Sequence, residues 1–228
     1  AQGAPIPGTE RRFDVDAVCL GYGLLPAFQL AVALGCKLRF DQQLNWFAPV
    51  HDENMETTQP GVFVAGDVTD SAGSKVAVVE GQIAGLTAAA QLGQVSQAAL
   101  AQQLAPLRAK LTHLNRLAGA LQKIYAFRPG LTRLAKEDTL LCRCEEITLS
   151  QVKEALANGA TDLHQVKLHT RSGMGYCQGR FCSALIAPFI AEATGKAVAE
   201  LQPFTVRPPL HPIPLKVLAT GAESPVVK

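Results

Sequence analysis

The chain has 228 residues, 48% of them hydrophobic and 18% charged, with a formal net charge of +2. That composition belongs to a folded globular chain of one or two domains, not to a disordered one. So small a charge, without a polybasic run, gives no ground for a nucleic-acid or anionic-membrane surface.

Ala1 to Arg12 is rich in Gly, Pro and Ala and reads as a loop or a strand lead-in. No targeting segment is visible there, and no initiator Met. Phe13 to Leu20 has the short apolar pattern of a buried strand. Gly21-Tyr22-Gly23 turns the chain, and Leu25 to Leu34 predicts a short helix. The apolar stretch from Cys19 to Cys36 is interrupted by Gly21, Gly23, Pro26 and Gln29, so it is not a spanning helix. Gly-x-Gly lacks the third glycine of the dinucleotide fingerprint, and we read it as a tight turn near a cofactor. Leu38 to Val50 predicts short strands, with Trp46 and Phe47 as packing residues. His51 to Asn54 is a polar turn with His51 exposed.

Thr57 to Asp67 reads T-T-Q-P-G-V-F-V-A-G-D. Val62 to Ala65 predicts a buried parallel strand. Ligands collect at the carboxyl ends of such strands, which places Gly66 and Asp67 at a ligand crevice. Gly66 would admit a close approach, and Asp67 could accept hydrogen bonds from sugar or ribityl hydroxyls. Ser74 can cap a helix from Lys75 to Leu92, ended by Gly93. Ala77, Gly81, Ala84, Gly85 and Ala88 form a stripe of small residues on it, suited to close packing on a sheet or cofactor. Gln97 to Phe127 carries leucines at three- and four-residue steps, an amphipathic helix or helix pair that Pro106 should break or kink. Its basic residues, Arg108 among them, lie off the stripe and read as a solvated face.

The chain has six cysteines, and four of them fall in two tight pairs. Cys142-Arg143-Cys144 is C-x-C, and Cys177 to Cys182 is C-x4-C. Each pair is pre-assembled by local geometry, and one loop closure brings the pairs together. This spacing reads as a metal site in a reducing cytoplasm, not as a disulfide framework. Zinc knuckles more often use C-x2-C, whereas thiolates suit iron–sulfur clusters as well. A zinc clasp and four structural cysteines remain the alternatives. Arg143, Lys167, His169, Arg171 and Arg180 would tune a negatively charged cluster, and Gly173, Gly175 and Gly179 would let backbone approach the sulfurs. His164 and His169 read as supporting residues, since four thiolates suffice. Thr148 to Ser150 starts a helix of Gln151 to Ala157, Asp162 to His169 forms a second, and a third follows Cys182 despite Pro188. Phe204 to Leu218 is proline-rich and should run extended over the first half of the chain.

Two resemblances follow from these residues. The strand, the Gly66-Asp67 ending and the helix after it resemble the C-terminal segment of two-dinucleotide-binding flavoproteins of the disulfide-reductase and ferredoxin-reductase type. This implies that Asp67 binds the FAD ribityl chain, that backbone at Lys75 and Val76 faces the flavin pyrimidine edge, and that the turn at Gly23 lies near the cofactor. Leu20 and Tyr22 depart from the A-T-G that many relatives carry there. The words Cys-Arg-Cys-Glu and Gly-Met-Gly-Tyr-Cys-Gln-Gly-Arg-Phe-Cys resemble the 2Fe–2S domain of bacterioferritin-associated-ferredoxin type. The wording is similar to the version in the opine oxidase and hydrogen cyanide synthase flavoproteins. The implied ligands are Cys142, Cys144, Cys177 and Cys182.

The expected architecture is therefore α/β. A partial FAD-binding Rossmann-type domain (1–95) leads through a helical connector (96–137) to a small, mainly helical 2Fe–2S domain (138–200) and a proline-rich tail (201–228). The Gly-x-Gly-x-x-Gly βαβ unit and a full nicotinamide-binding βαβ are nowhere in the sequence, so the chain reads as a fragment of a longer subunit. By resemblance, such a subunit works with a glycine-oxidase-like flavoprotein subunit that oxidises an amino acid, opine or other amine. Electrons then pass to a quinone or other acceptor; the expected location is the cytoplasm, with peripheral attachment to the inner membrane face as a further option. No residue here is assigned the carbon–nitrogen chemistry. The alternatives are an NAD(P)H-dependent reductase of nitrite-reductase type with an appended cluster domain, a glycerol-3-phosphate dehydrogenase-like subunit, and a non-catalytic adaptor stabilised by zinc or a cluster.

Overall fold

A computed structural model describes residues 3–19, 21 and 23–219. The element order is α1 (Gln29–Ala33), β1 (Leu38–Asp41), β2 (Trp46–Pro49), a 3-10 turn (Gly66–Val68), α2 (Ser74–Gln91), α3 (Gln97–Ile124) and a second 3-10 turn (Pro129–Leu134). There follow β3 (Leu140–Cys142), β4 (Ile147–Thr148), α4 (Leu149–Ala157), α5 (Leu163–Thr170), α6 (Cys182–Thr194), a 3-10 turn (Val198–Glu200) and α7 (Leu215–Ala219).

The strands form two antiparallel hairpins, β1–β2 and β3–β4. Asp41 Oδ1 accepts from the backbone N–H groups of Gln43 and Leu44, and Asn45 takes a left-handed φ of 50°, which closes the first hairpin. The parallel strand expected at Val62 to Ala65 is not formed. Phe63 makes one isolated antiparallel bridge to Glu56. The run spends its backbone groups on folding back, Thr57 N–H to Val62 O and Val64 N–H to Met55 O. The strand expected at Phe13 to Leu20 is likewise absent over 13–19, where Phe13, Val15 and Val18 are exposed; Leu20 and Tyr22 lie outside the described residues. A parallel strand forms only beside another strand that pairs with its backbone, and among the described residues neither run has a parallel neighbour.

Helix α2 begins at Ser74 itself. Gly73, at φ 96° and ψ 166°, holds the N-cap position without a side-chain hydrogen bond, so Ser74 is not the cap. Its buried face is Val76, Val79, Glu80, Ile83, Thr87 and Ala90. Gly81 and Gly85 face open space, whereas Ala77 lies against Gly66 and Ala84 packs on the core between the helices. Helix α3 starts at the Ser96 cap and runs unbroken through Pro106. Pro106 is exposed, so the carbonyl that loses its partner is left to water. Leu100, Leu104, Leu107, Leu111 and Leu114 pack with Val79, Ile83 and Met55. Burying several leucines at about 1.5–3 kcal/mol each outweighs the roughly 3 kcal/mol cost of an internal proline. Arg108 is not simply solvated: its Nη2 donates to Glu53 (3.0 Å) and to Asn54 Oδ1 (2.7 Å).

The larger core surrounds α4, α5 and α6. Thr148 and Gln151 form a reciprocal capping box on α4, and Asp162 caps α5 through the Gln165 N–H. Gly195, at φ 71°, ends α6, which carries Pro188 internally. Phe28, Trp46 and Phe47 from the first part of the chain belong to this same core, beside Leu141, Ile186 and Phe204. The tail departs from the expected course. Residues 204–214 lack a regular element and α7 is helical. It takes hydrogen bonds from the cysteine region, at His164, Gln178 and Arg180.

Candidate functional site

The four paired cysteines meet. Cys142 ends β3, Cys144 lies in the turn to β4, Cys177 sits in the loop 171–181 and Cys182 opens α6. Cys142 and Cys182 are each 1% exposed, whereas Cys144 and Cys177 are half-buried. Burial pushes the Cys182 thiol far above its ordinary range, and the adjacent Cys142, which shares a hydrogen bond with it, and Cys177 push the same way. The Cys144 thiol is also raised. A hydrogen bond with the Cys177 backbone lowers it, but the Cys177 side chain, burial and the nearby Cys142 together outweigh that bond. The thiols therefore form an inner pair, Cys142 with Cys182, and an outer pair, Cys144 with Cys177, each within reach of the other.

Among the described residues, no three His, Cys, Asp or Glu side chains surround a point that could hold one metal ion. Burial and the neighbouring thiols raise Cys144 and Cys182, so ionising these two costs free energy unless a cation joins them. Gly175 lies so close to Cys144 that a side-chain carbon there would overlap Cys144 Cβ. Gly173 and Gly179 do not serve the sulfurs in this way: they make room for the Phe204 ring. The Arg180 guanidinium donates to the Cys177 carbonyl at 3.0 Å, and Arg171 pairs with Glu145 at 3.1 Å. His164 is engaged with Thr205.

The Gly66 turn is organised by a residue that sequence reasoning missed. Glu80, on α2, is 4% exposed. Its Oε2 accepts from the Gly66 N–H at 2.7 Å and lies 3.1 Å from Thr69 Oγ1. The Thr69 hydroxyl has one hydrogen, and its shortest acceptor is Gly66 O at 2.7 Å. Glu80 Oε2 therefore competes with Gly66 O for that hydrogen. Burial raises the Glu80 pKa and the Asp70 charge adds to the rise, against hydrogen bonds from Gly66 and Thr69 and the charge of His51. The available signal was a lone acid on the apolar helix face Val76-Val79-Ile83. Gly66 has φ 80° and sits against Ala77, where a larger residue would crowd. Asp67, beside it, is exposed. Val76 is buried and Lys75 is exposed.

A cavity of about 1200 Å³ opens between Gly23 to Gln29, the loop 70–73, the end of α3 and the cysteine loop. Gly23 lines it, whereas Gly66, Asp67, Lys75 and Val76 do not. Gln122 ties α3 to the loop through Asp70 O at 3.1 Å.

Comparison with known proteins fits this division. Residues 3–93 match the family described as pyridine nucleotide-disulphide oxidoreductase, and residues 136–222 match the sarcosine oxidase A3 domain. The chain is 35% identical over 212 residues to an opine oxidase subunit (the A component) of Rhizobium meliloti, across 93% of this chain and 40% of that protein. It is 33% identical over 205 residues to hydrogen cyanide synthase subunit HcnB of Pseudomonas protegens, across 90% of this chain and 43% of the relative. The crystal structure of L-proline dehydrogenase from P. horikoshii superposes with a TM-score of 0.62 at 25% identity, over 85% of this chain and 37% of the other. The chain spans less than half the length of these relatives. No helix among the described residues is long and apolar enough to cross a membrane.

Proposed function

We propose that the chain is the C-terminal part of a flavin-dependent oxidoreductase subunit that carries a 2Fe–2S cluster on Cys142, Cys144, Cys177 and Cys182. Meeting of the two thiol pairs is the observation that carries this reading. Such a cluster, when bound, supplies one-electron transfer next to a flavin that accepts electrons in pairs. The inner thiols on β3 and α6 anchor it in the core, and the outer thiols present it near the surface. Arg180 holds the Cys177 backbone, and Gly175 leaves room at Cys144. The pairwise arrangement supports a two-metal centre over zinc, which would draw all four thiolates to one point.

In the same reading Gly66 and Asp67 form the FAD-contacting turn, and Gly23 and the start of α2 at Lys75 and Val76 flank it. Glu80 shapes that turn from beneath, which leaves the Asp67 carboxylate free to accept from a ribityl hydroxyl. The partner would be a second, glycine-oxidase-like flavoprotein subunit that oxidises an amino acid, opine or other amine. A quinone or electron carrier would take the electrons onward. Kinship with chains named as subunits of opine oxidase and hydrogen cyanide synthase supports a hetero-oligomer.

The test is anaerobic preparation with assay of iron, labile sulfide and visible absorption. Equimolar iron and sulfide with a visible chromophore are expected, and Cys144→Ser should abolish the chromophore. Colourless protein that contains zinc would favour a structural clasp instead.

A further inference from the structure

Beyond its hydrogen bond with the Cys144 thiol, little in the backbone of the loop 171–181 holds Cys177 in place. The loop has positive φ at Arg171, Gly173, Gln178 and Gly179, and no strand ladder. Its own backbone bonds are short-range, Met174 to Arg171, Gln178 to Gly175 and Arg180 to Cys177. The remaining support comes from the tail. Phe204 is 8% exposed, and its ring fills the space that side chains at Gly173 and Gly179 would occupy. His164 meets the ring edge-on at 5.9 Å, and the Lys167 ammonium lies 5.2 Å from its centroid. The next residue, Thr205, is tied to His164 by both its N–H and its hydroxyl. Gln178 donates to Pro209 O at 2.8 Å, and Arg180 bridges Leu210 O and Cys177 O. Cys142 and Cys182 sit on β3 and α6 within the core, each 1% exposed, and none of these hydrogen bonds is made to them.

We propose that the tail from Pro203 to Leu210 is a strap that positions Cys177 against Cys144, with Phe204 as its wedge and Arg180 as its clasp. The strap's purpose rests on the reading of the cysteines as ligands, since it would keep the outer pair of thiolates at the spacing the inner pair already has. Phe204 and Arg180 are positioning residues in this scheme.

The test uses the full chain, reduced and treated with chelator. Iodoacetamide labelling is followed at each cysteine by peptide mass spectrometry. Phe204→Ala, and separately Arg180→Gln, should speed labelling of Cys177 and Cys144 on the order of tenfold or more, because local opening of the loop becomes easier. Labelling of Cys142 and Cys182 should keep its rate, and Phe204→Tyr should behave as the parent. An unchanged Cys177 rate in both variants overturns the proposal. So does an equal rise at all four cysteines, which would mark general loosening of the fold. The labelling contrast is read on metal-free protein, so it stands apart from the iron and sulfide assay of the cluster reading.

Discussion

Glu80 shows how one side chain can set both stability and site geometry. Its raised pKa means the folded chain holds a proton that the unfolded chain releases. Stability from this group is therefore fully present below the ordinary carboxylate range and is lost as pH rises through the raised value. Glu80→Gln keeps an acceptor for the Gly66 N–H and a donor for Thr69 while removing the titration. Denaturation of this variant should show a flatter pH dependence from mildly acid to neutral pH, with equal or greater stability at neutral pH. Glu80→Ala strands the buried Gly66 N–H and should cost about 1–3 kcal/mol. A parallel pH slope in Glu80→Gln and the parent would sink this account. The paired cysteines were legible because their spacing is local. Glu80 was not, because only packing of α2 onto the Gly66 turn makes its burial visible.

That α3 buries a leucine face was legible from leucine spacing alone; that the face packs on α2 was not. Pro106 was over-read, since a proline on a solvated face costs less than the packed face returns. Leu104, 4% exposed between the two helices, is the test position. Leu104→Ala should cost about 2–5 kcal/mol in chemical denaturation, whereas Pro106→Ala should stabilise α3. If Pro106→Ala proved destabilising, Pro106 would have a packing role that its exposure does not suggest. Beyond Leu114 the stripe loses its cover, and Leu117 is 66% exposed. Periodicity reports which residues share a face; it is silent on where the partner helix stops.

Across the whole molecule, the cysteine region borrows its core. Phe28, Trp46 and Phe47 sit among residues 141–204, although more than ninety positions separate Phe47 from Leu141 in the sequence. A fragment that begins at Asp138 lacks all three aromatics. It should melt well below the full chain, and Trp46→Ala in the full chain should cost about 3–5 kcal/mol. If that fragment melted at the same temperature, the hairpin would be a passenger and not part of the core.

By itself the sequence determined the two cysteine pairs and the helices that begin at Thr148 and Asp162. Each depends on residues within a few positions of one another, where chain geometry leaves little choice. Tertiary structure alone decided that Val62 to Ala65 folds back on Met55 to Thr57, that Glu80 lies beneath Gly66, and that Phe204 closes over Gly173 and Gly179. Burial and hydrogen-bond satisfaction settle such choices, and both depend on neighbours that arrive from distant parts of the chain.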